Sequence, residues 1–135
     1  MIFVDTTVWV SGIDSSDALH EDGSAVLEAL AEGSLAPAVT TDFVLDETLT
    51  LLKRRGGKVE TIARAIDSIL SSAVVDMVYV DEALFGQALS TYKKYEKLSF
   101  TDAVTLTVMQ RRRIREIFSH DSDFDMKGIV RKERP

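Results

Sequence analysis

The chain has 135 residues, 45% of them hydrophobic, with no cysteine and a formal net charge of −6. That length suits one globular domain spanning residues 1–135, and no stretch is long and apolar enough to cross a bilayer. The start, Met1-Ile2-Phe3-Val4-Asp5, lacks the basic segment and small-residue cleavage site of a signal peptide, and without cysteine there is neither a disulfide framework nor a thiolate zinc site, so a cytoplasmic protein with no membrane partner is expected.

Ile2 to Asp5 reads as a short buried strand, followed by a brief helix from Thr7 and a longer one from about Asp17 to Glu32 that Gly33 ends as a C-cap glycine. After Pro37, Ala38 to Thr40 forms a weak strand, and Asp42 to Arg55 a helix stopped by Gly56-Gly57. Val59 to Ser72 carries its apolar residues at helical spacing, and Val74 to Val80 is strand-like. Asp81-Glu82 opens a helix reaching Tyr95, Thr101 to Arg113 forms another, and Ile114 to Ser119 returns to a strand. Strand and helix alternate without repeat, linker or low-complexity tract, which predicts a single α/β domain on a mainly parallel sheet.

Four acidic residues stand in apolar surroundings: Asp5 after Ile2-Phe3-Val4, Glu47 within Val44 to Leu49, Asp102 ahead of Ala103-Val104, and Asp121 after Ile117-Phe118-Ser119. In a parallel βα arrangement strands end and helices begin at the same sheet edge, so all four are expected to face one cleft. Two carboxylates about 5 Å apart repel by roughly 3 kcal/mol at an effective dielectric near 20, so a converged set calls for a divalent cation. Helical spacing singles out Glu47, whose neighbours Phe43, Val44 and Leu51 are apolar, whereas Asp46 shares a polar stripe with Asp42 and Thr50 and faces solvent. Asp102 begins a helix that is apolar around most of its circumference, at the positive end of the macrodipole.

Each acid also has a structural reading. Asp5 before Thr6-Thr7 and Asp102 after Thr101 suit helix capping, and Asp121-Ser122-Asp123 suits an Asx-turn. Asp123 and Asp125 are candidate auxiliary ligands, although Phe124 between them reads as an anchor that leaves both acids in water. The hydroxyls of Thr7, Thr101 and Ser119 stand within reach of the site acids. His20 and His120 without cysteine supply no ordinary structural zinc site, and neither GxxxxGK nor GxGxxG follows a strand. Strand alternation turns His120 away from the face of Asp121. A phosphoaspartate enzyme of the haloacid dehalogenase type needs a second Asp where this chain has Thr7.

The segments Ile2 to Trp9, Thr40 to Glu47, Leu98 to Ala103 and Phe118 to Phe124 together resemble, in order and spacing, the four acidic motifs of PIN-domain ribonucleases, most closely the VapC-like toxins. Ser119 stands where that family usually has Thr, which keeps the hydroxyl. The resemblance implies a three-layer α/β/α fold with a mainly parallel central sheet, often dimeric. It assigns Asp5, Glu47, Asp102 and Asp121 to metal binding and catalysis, with Thr7, Ser119 and Asp123 as auxiliary residues. The function it implies is a Mg²⁺- or Mn²⁺-dependent endoribonuclease, the toxin of a type II toxin-antitoxin system, that hydrolyses RNA phosphodiester bonds with metal-activated water and pairs with a cognate antitoxin protein. The competing readings are a non-catalytic PIN-like RNA-binding or scaffold domain and a metal-dependent phosphatase of small molecules. Basic residues at Lys53 to Arg55 and Arg111 to Arg115 are expected to hold the RNA backbone outside the acidic centre.

Overall fold

Strands buried on both faces favour apolar side chains, and the runs Ile2–Val4 (β1) and Ala38–Thr41 (β2) are buried throughout, the Thr40 and Thr41 hydroxyls of β2 being satisfied by hydrogen bonds. In the computed structural model, which describes residues 1–135, the chain continues from β1 into α1 (Thr6–Ile13) and α2 (His20–Ala31) before reaching β2. Next come α3 (Asp42–Arg54), α4 (Val59–Ser71) and β3 (Val75–Val78), then α5 (Glu82–Lys94) and α6 (Phe100–Arg112). The chain closes with β4 (Glu116–Phe118), a 3₁₀ turn at Ser122–Phe124, and β5 (Val130–Lys132). No helix is long and apolar enough to cross a membrane.

The five strands form one parallel sheet in the order β3-β2-β1-β4-β5. Phe3 of β1 sits between Val39 of β2 and Ile117 of β4, which fixes the register at the centre. Strand order advances outward from β1 to β3, then jumps back across the sheet to β4. Right-handed crossovers therefore place the two sets of connecting helices on opposite faces, giving three layers. Where the order reverses, between β1 and β4, the strand ends leave a crevice at their carboxyl edge. One core cluster unites β1, Trp9 of α1, Val104 and Val108 of α6, Ile117-Phe118 of β4 and Phe124. Trp9 keeps its indole N–H paired by donating to the buried Thr40 hydroxyl at 3.1 Å.

Three expectations about the elements need correction. The helix expected from Asp17 starts at His20, because the Asp14 and Asp17 carboxylates accept from the amides of Ser16 (3.0 Å) and Leu19 (2.8 Å) and fold that stretch into turns. The expected strands Val74 to Val80 and Ile114 to Ser119 shorten to Val75–Val78 and Glu116–Phe118. Strand β5 was not anticipated at all: three residues, two of them charged, carry no period-2 signal, and only pairing with β4 makes them a strand.

Gly23 sets the spacing of α1 against α2. A Cβ built there collides with the Ser11 side chain and the Gly12 backbone, so only hydrogen lets the helices meet. Gly23→Ala is expected to lower unfolding free energy by about 1–3 kcal/mol. Gly86→Ala, in the interior of α5 with nothing within 4 Å of the added carbon, is expected to raise it by roughly 0.5–1 kcal/mol. Urea unfolding of the two variants checks both signs.

Candidate functional site

Strand β1 ends at Val4, and Asp5 follows with only 3% of its surface exposed. Its backbone N–H donates to the Phe118 carbonyl at 3.1 Å, which ties the end of β1 to the end of β4. Asp5 Oδ2 accepts from Ser119 Oγ at 2.8 Å and from Thr7 Oγ1 at 3.0 Å. Those two hydroxyls in turn accept from the backbone amides of Asp121 (3.0 Å) and His120 (2.9 Å). A chain of hydrogen bonds thus runs from the loop after β4 into the central carboxylate. Asp5 occupies the N-cap position of α1 but makes no side-chain cap bond, so capping does not account for it. Burial pushes its carboxyl above the ordinary value, and the Ser119 and Thr7 hydroxyls offset this in part.

Asp102 stands at the start of α6, whose residues Ala103 to Met109 are all buried. Ser99 caps that helix: its hydroxyl accepts from the Asp102 N–H, and Asp102 Oδ2 accepts from the Ser99 N–H, both at 3.1 Å. One carboxylate oxygen thereby closes a capping box, and the other has no hydrogen bond within the protein. Burial first, then the charge of Asp5, raises Asp102 to about 6. Glu47 projects from the second turn of α3. Burial is again the largest influence raising it, the Thr101 hydroxyl opposes this, and the charge of Asp102 adds to it.

On the β4 side, Asp121 begins the 3₁₀ turn and accepts from the Asp123 N–H at 2.8 Å, the Asx-turn that the sequence suggested. Asp102, Asp121 and Asp123 each bring one carboxylate oxygen within 4.8 Å of the other two. Asp5 and Glu47 stand outside that triangle and couple to it through charge. The structure therefore gives Asp123 a larger place than the sequence did: Phe124 is buried as the expected anchor, yet Asp123 turns toward Asp102 while only Asp125 faces solvent, bound by Arg131. All the donors are carboxylate oxygens, a set that suits a hard divalent ion such as Mg²⁺ or Mn²⁺ better than zinc. Asp46 is exposed, as its stripe predicted.

The orientation argument for His120 needs correction, and the fold sorts the basic clusters. His120 lies beyond β4, so strand alternation does not orient it; its Nε2 sits 3.1 Å from Ser11 Oγ, outside the acid triangle. Arg55 is held by Asp14 (3.2 Å) and Asp17 (2.5 Å), and Arg112 by Asp76. The ten positions of helix from Asp102 to Arg112 on α6 span about 15 Å, so the cluster Arg111 to Arg115 begins well outside the acidic centre. Ser99 escaped notice because a cap partner three residues ahead of a site acid looks like any other loop serine. Phe100, whose ring packs on those of Phe43, Phe85 and Tyr92 at centroid distances of 5.0–5.9 Å, likewise gives no sequence signal for its role in seating the first turn of α6.

A parallel three-layer sheet with carboxylates gathered at its switch point defines an α/β domain with an acidic centre. Residues 2–129 match the PIN domain family, and the chain belongs to it, as one of the VapC type. It is 35% identical over 132 residues to a 23S rRNA-specific endonuclease, VapC20, of Mycobacterium tuberculosis, covering 96% of each chain. The crystal structure of that protein, described as a sarcin-ricin loop cleaving toxin, superposes with a TM-score of 0.82, covering 96% of this chain and 97% of the other at 31% identity. A VapC ribonuclease of Archaeoglobus fulgidus is 30% identical over 131 residues, covering 95% of this chain and 81% of that protein.

The raised carboxyls give the metal-free protein a definite pH signature. A carboxyl whose folded-state value lies above its unfolded one favours the fold at low pH, and that contribution disappears as pH rises through the folded value. For Asp102 the window runs from about 4 to about 6. In EDTA, stability relative to Asp102→Asn is expected to fall across this window, since Asn keeps an acceptor for the Ser99 N–H but carries no charge. Paired thermal melts between pH about 4 and about 7 check it; two curves that remain parallel contradict the assignment.

Proposed function

We propose that this chain is a metal-dependent endoribonuclease acting as the toxin of a type II toxin-antitoxin pair. The observation that carries this reading is the set of carboxylates gathered beside the switch point: the Asp102-Asp121-Asp123 triangle, with buried Asp5 and half-buried Glu47 coupled to it by charge. Asp5, Glu47, Asp102 and Asp121 would hold Mg²⁺ or Mn²⁺, with Asp123 as a further oxygen ligand. The chemistry such an ion supplies when bound is water activation and neutralisation of phosphate charge. The chain's own part is positional. Ser119 and Thr7 hold Asp5 by one oxygen, the Ser99 capping box holds Asp102 by one oxygen, and buried Phe124 anchors the turn that carries Asp121 and Asp123. The crowding of negative charge keeps a phosphodiester away until a cation neutralises it.

The VapC relatives support an RNA substrate, and the proposal extends to a cognate antitoxin that covers the acidic centre, with an Arg paired to one of its carboxylates. A homodimer is part of the same reading: Phe85, Leu89 and Tyr92 follow one another at helical spacing on α5 and are 45%, 38% and 46% exposed, an apolar stripe suited to a second copy. The chain acts as a single domain in the compartment that holds its RNA, the cytoplasm.

Two experiments test the reading. Purified protein is expected to cut RNA with Mg²⁺ or Mn²⁺, to stop with EDTA and to lose activity by at least 100-fold in Asp5→Asn and Glu47→Gln, an order of magnitude in keeping with loss of a charge-stabilising group (about 2.7–4 kcal/mol). Cleavage indifferent to chelation excludes the metal mechanism. Co-expression with the neighbouring small open reading frame is expected to give a complex with little nuclease activity; absence of any such complex removes the toxin assignment and leaves the fold untouched.

A further inference from the structure

A groove of about 310 Å³ starts at the acidic centre and runs along the surface of α3. Glu47 and Thr101 form one end, Asp46, Thr50 and Leu51 line it, and Arg54 closes the other end. Seven residues of helix separate Glu47 from Arg54, so the guanidinium is rooted about 10 Å from the site acid along the axis. Arg54 is exposed and forms no salt bridge, although both neighbouring features compete for cations: Arg55 beside it is taken by Asp14 and Asp17. Among the basic side chains near the C-terminus, Arg131 is held by Asp125 and Glu133, Lys132 by Glu116 and Arg134 by Asp22.

We infer that an RNA single strand lies in this groove, with Arg54 binding a backbone phosphate on one side of the scissile bond. This rests on the endoribonuclease reading and adds the direction in which the strand crosses the site. A negatively charged chain (formal net charge −6) with an acidic centre does not attract RNA by bulk charge, so a discrete cation beside the centre is what a phosphate would meet. Arg suits the role at position 54, because its fork takes two phosphate oxygens at once. At the rise of about 3.4 Å per nucleotide in a stacked strand, the reach from Glu47 to Arg54 corresponds to about three nucleotides.

Salt dependence tests this directly. Each phosphate contact to a single strand contributes about 0.7 to the slope of log affinity against log salt. Binding of a labelled single-stranded oligoribonucleotide is measured by anisotropy with Mg²⁺ on the cleavage-inactive Asp102→Asn background, and KM and kcat are measured on the active chain. Arg54→Gln is expected to flatten the slope by about 0.7, so that a fourfold rise in salt costs the variant roughly 2.6-fold less affinity than the parent. KM should rise while kcat stays within about twofold, as for uniform binding lost. Arg54→Lys should restore most of the slope, and Arg64→Gln, on the exposed face of α4 and outside the groove, should leave it unchanged. An unchanged slope in Arg54→Gln alongside robust cleavage by the parent overturns the groove and leaves the nuclease. RNA binding that depends on Arg54 in a protein that cuts nothing overturns the nuclease and keeps the groove. If Arg54→Gln instead releases only the co-expressed partner, the groove belongs to an acidic protein segment and the RNA path is wrong.

Discussion

Everything in this fold answers to the burial of one carboxyl at the end of the central strand. Parallel pairing on both sides of β1 puts Asp5 at the reversal of strand order, the one place on the sheet edge where two neighbouring strand ends diverge and leave room for a ligand. An ionised group 3% exposed is costly unless something solvates it. Two hydroxyls do part of that work from the protein side. They are themselves oriented by amides of the loop that carries Asp121, so the group that needs solvating and the group that helps crowd it are built from a single network. The remaining negative charge is the feature a divalent ion complements.

The structure also dissolves an opposition that the sequence presents, between acids that cap helices and acids that bind a metal. Asp102 does the first with Oδ2 and keeps its other oxygen unbonded within the protein, as the metal role proposed for it requires. Asp121 divides its work in the same way, with Oδ1 closing the turn to Asp123. A carboxylate fixed by one oxygen presents the other at a defined angle, which is the preorganisation a hard cation with strict geometry requires. Local structure and site chemistry here are two uses of the same residues.

The parallel α/β architecture was legible because its signals are long-ranged in the sequence: apolar runs ending in acids, alternating with helices of twelve or thirteen residues such as α2, α3 and α6. The separation of Glu47 from Asp46 was legible because helical periodicity assigns faces without reference to anything outside the helix. What failed depended on partners distant in the chain. Strand β5 exists only through β4, and the standing of Asp123 depends on where α6 brings Asp102. The basic clusters could be counted but not sorted in the sequence: only the fold shows that Asp14 and Asp17, some forty residues upstream, have claimed Arg55 and left Arg54 free.

The frame around Asp5 draws together segments far apart in the chain. Its Oδ2 accepts from the hydroxyl of Ser119, a residue 114 positions away. Ser119 in turn accepts on its carbonyl from Arg131 and donates its N–H to the Lys132 carbonyl at 3.0 Å. The outermost strand, β5, is therefore a brace on the loop that tethers the central carboxylate, so fraying at the edge of the sheet slackens the grip on Asp5 while the core stays packed.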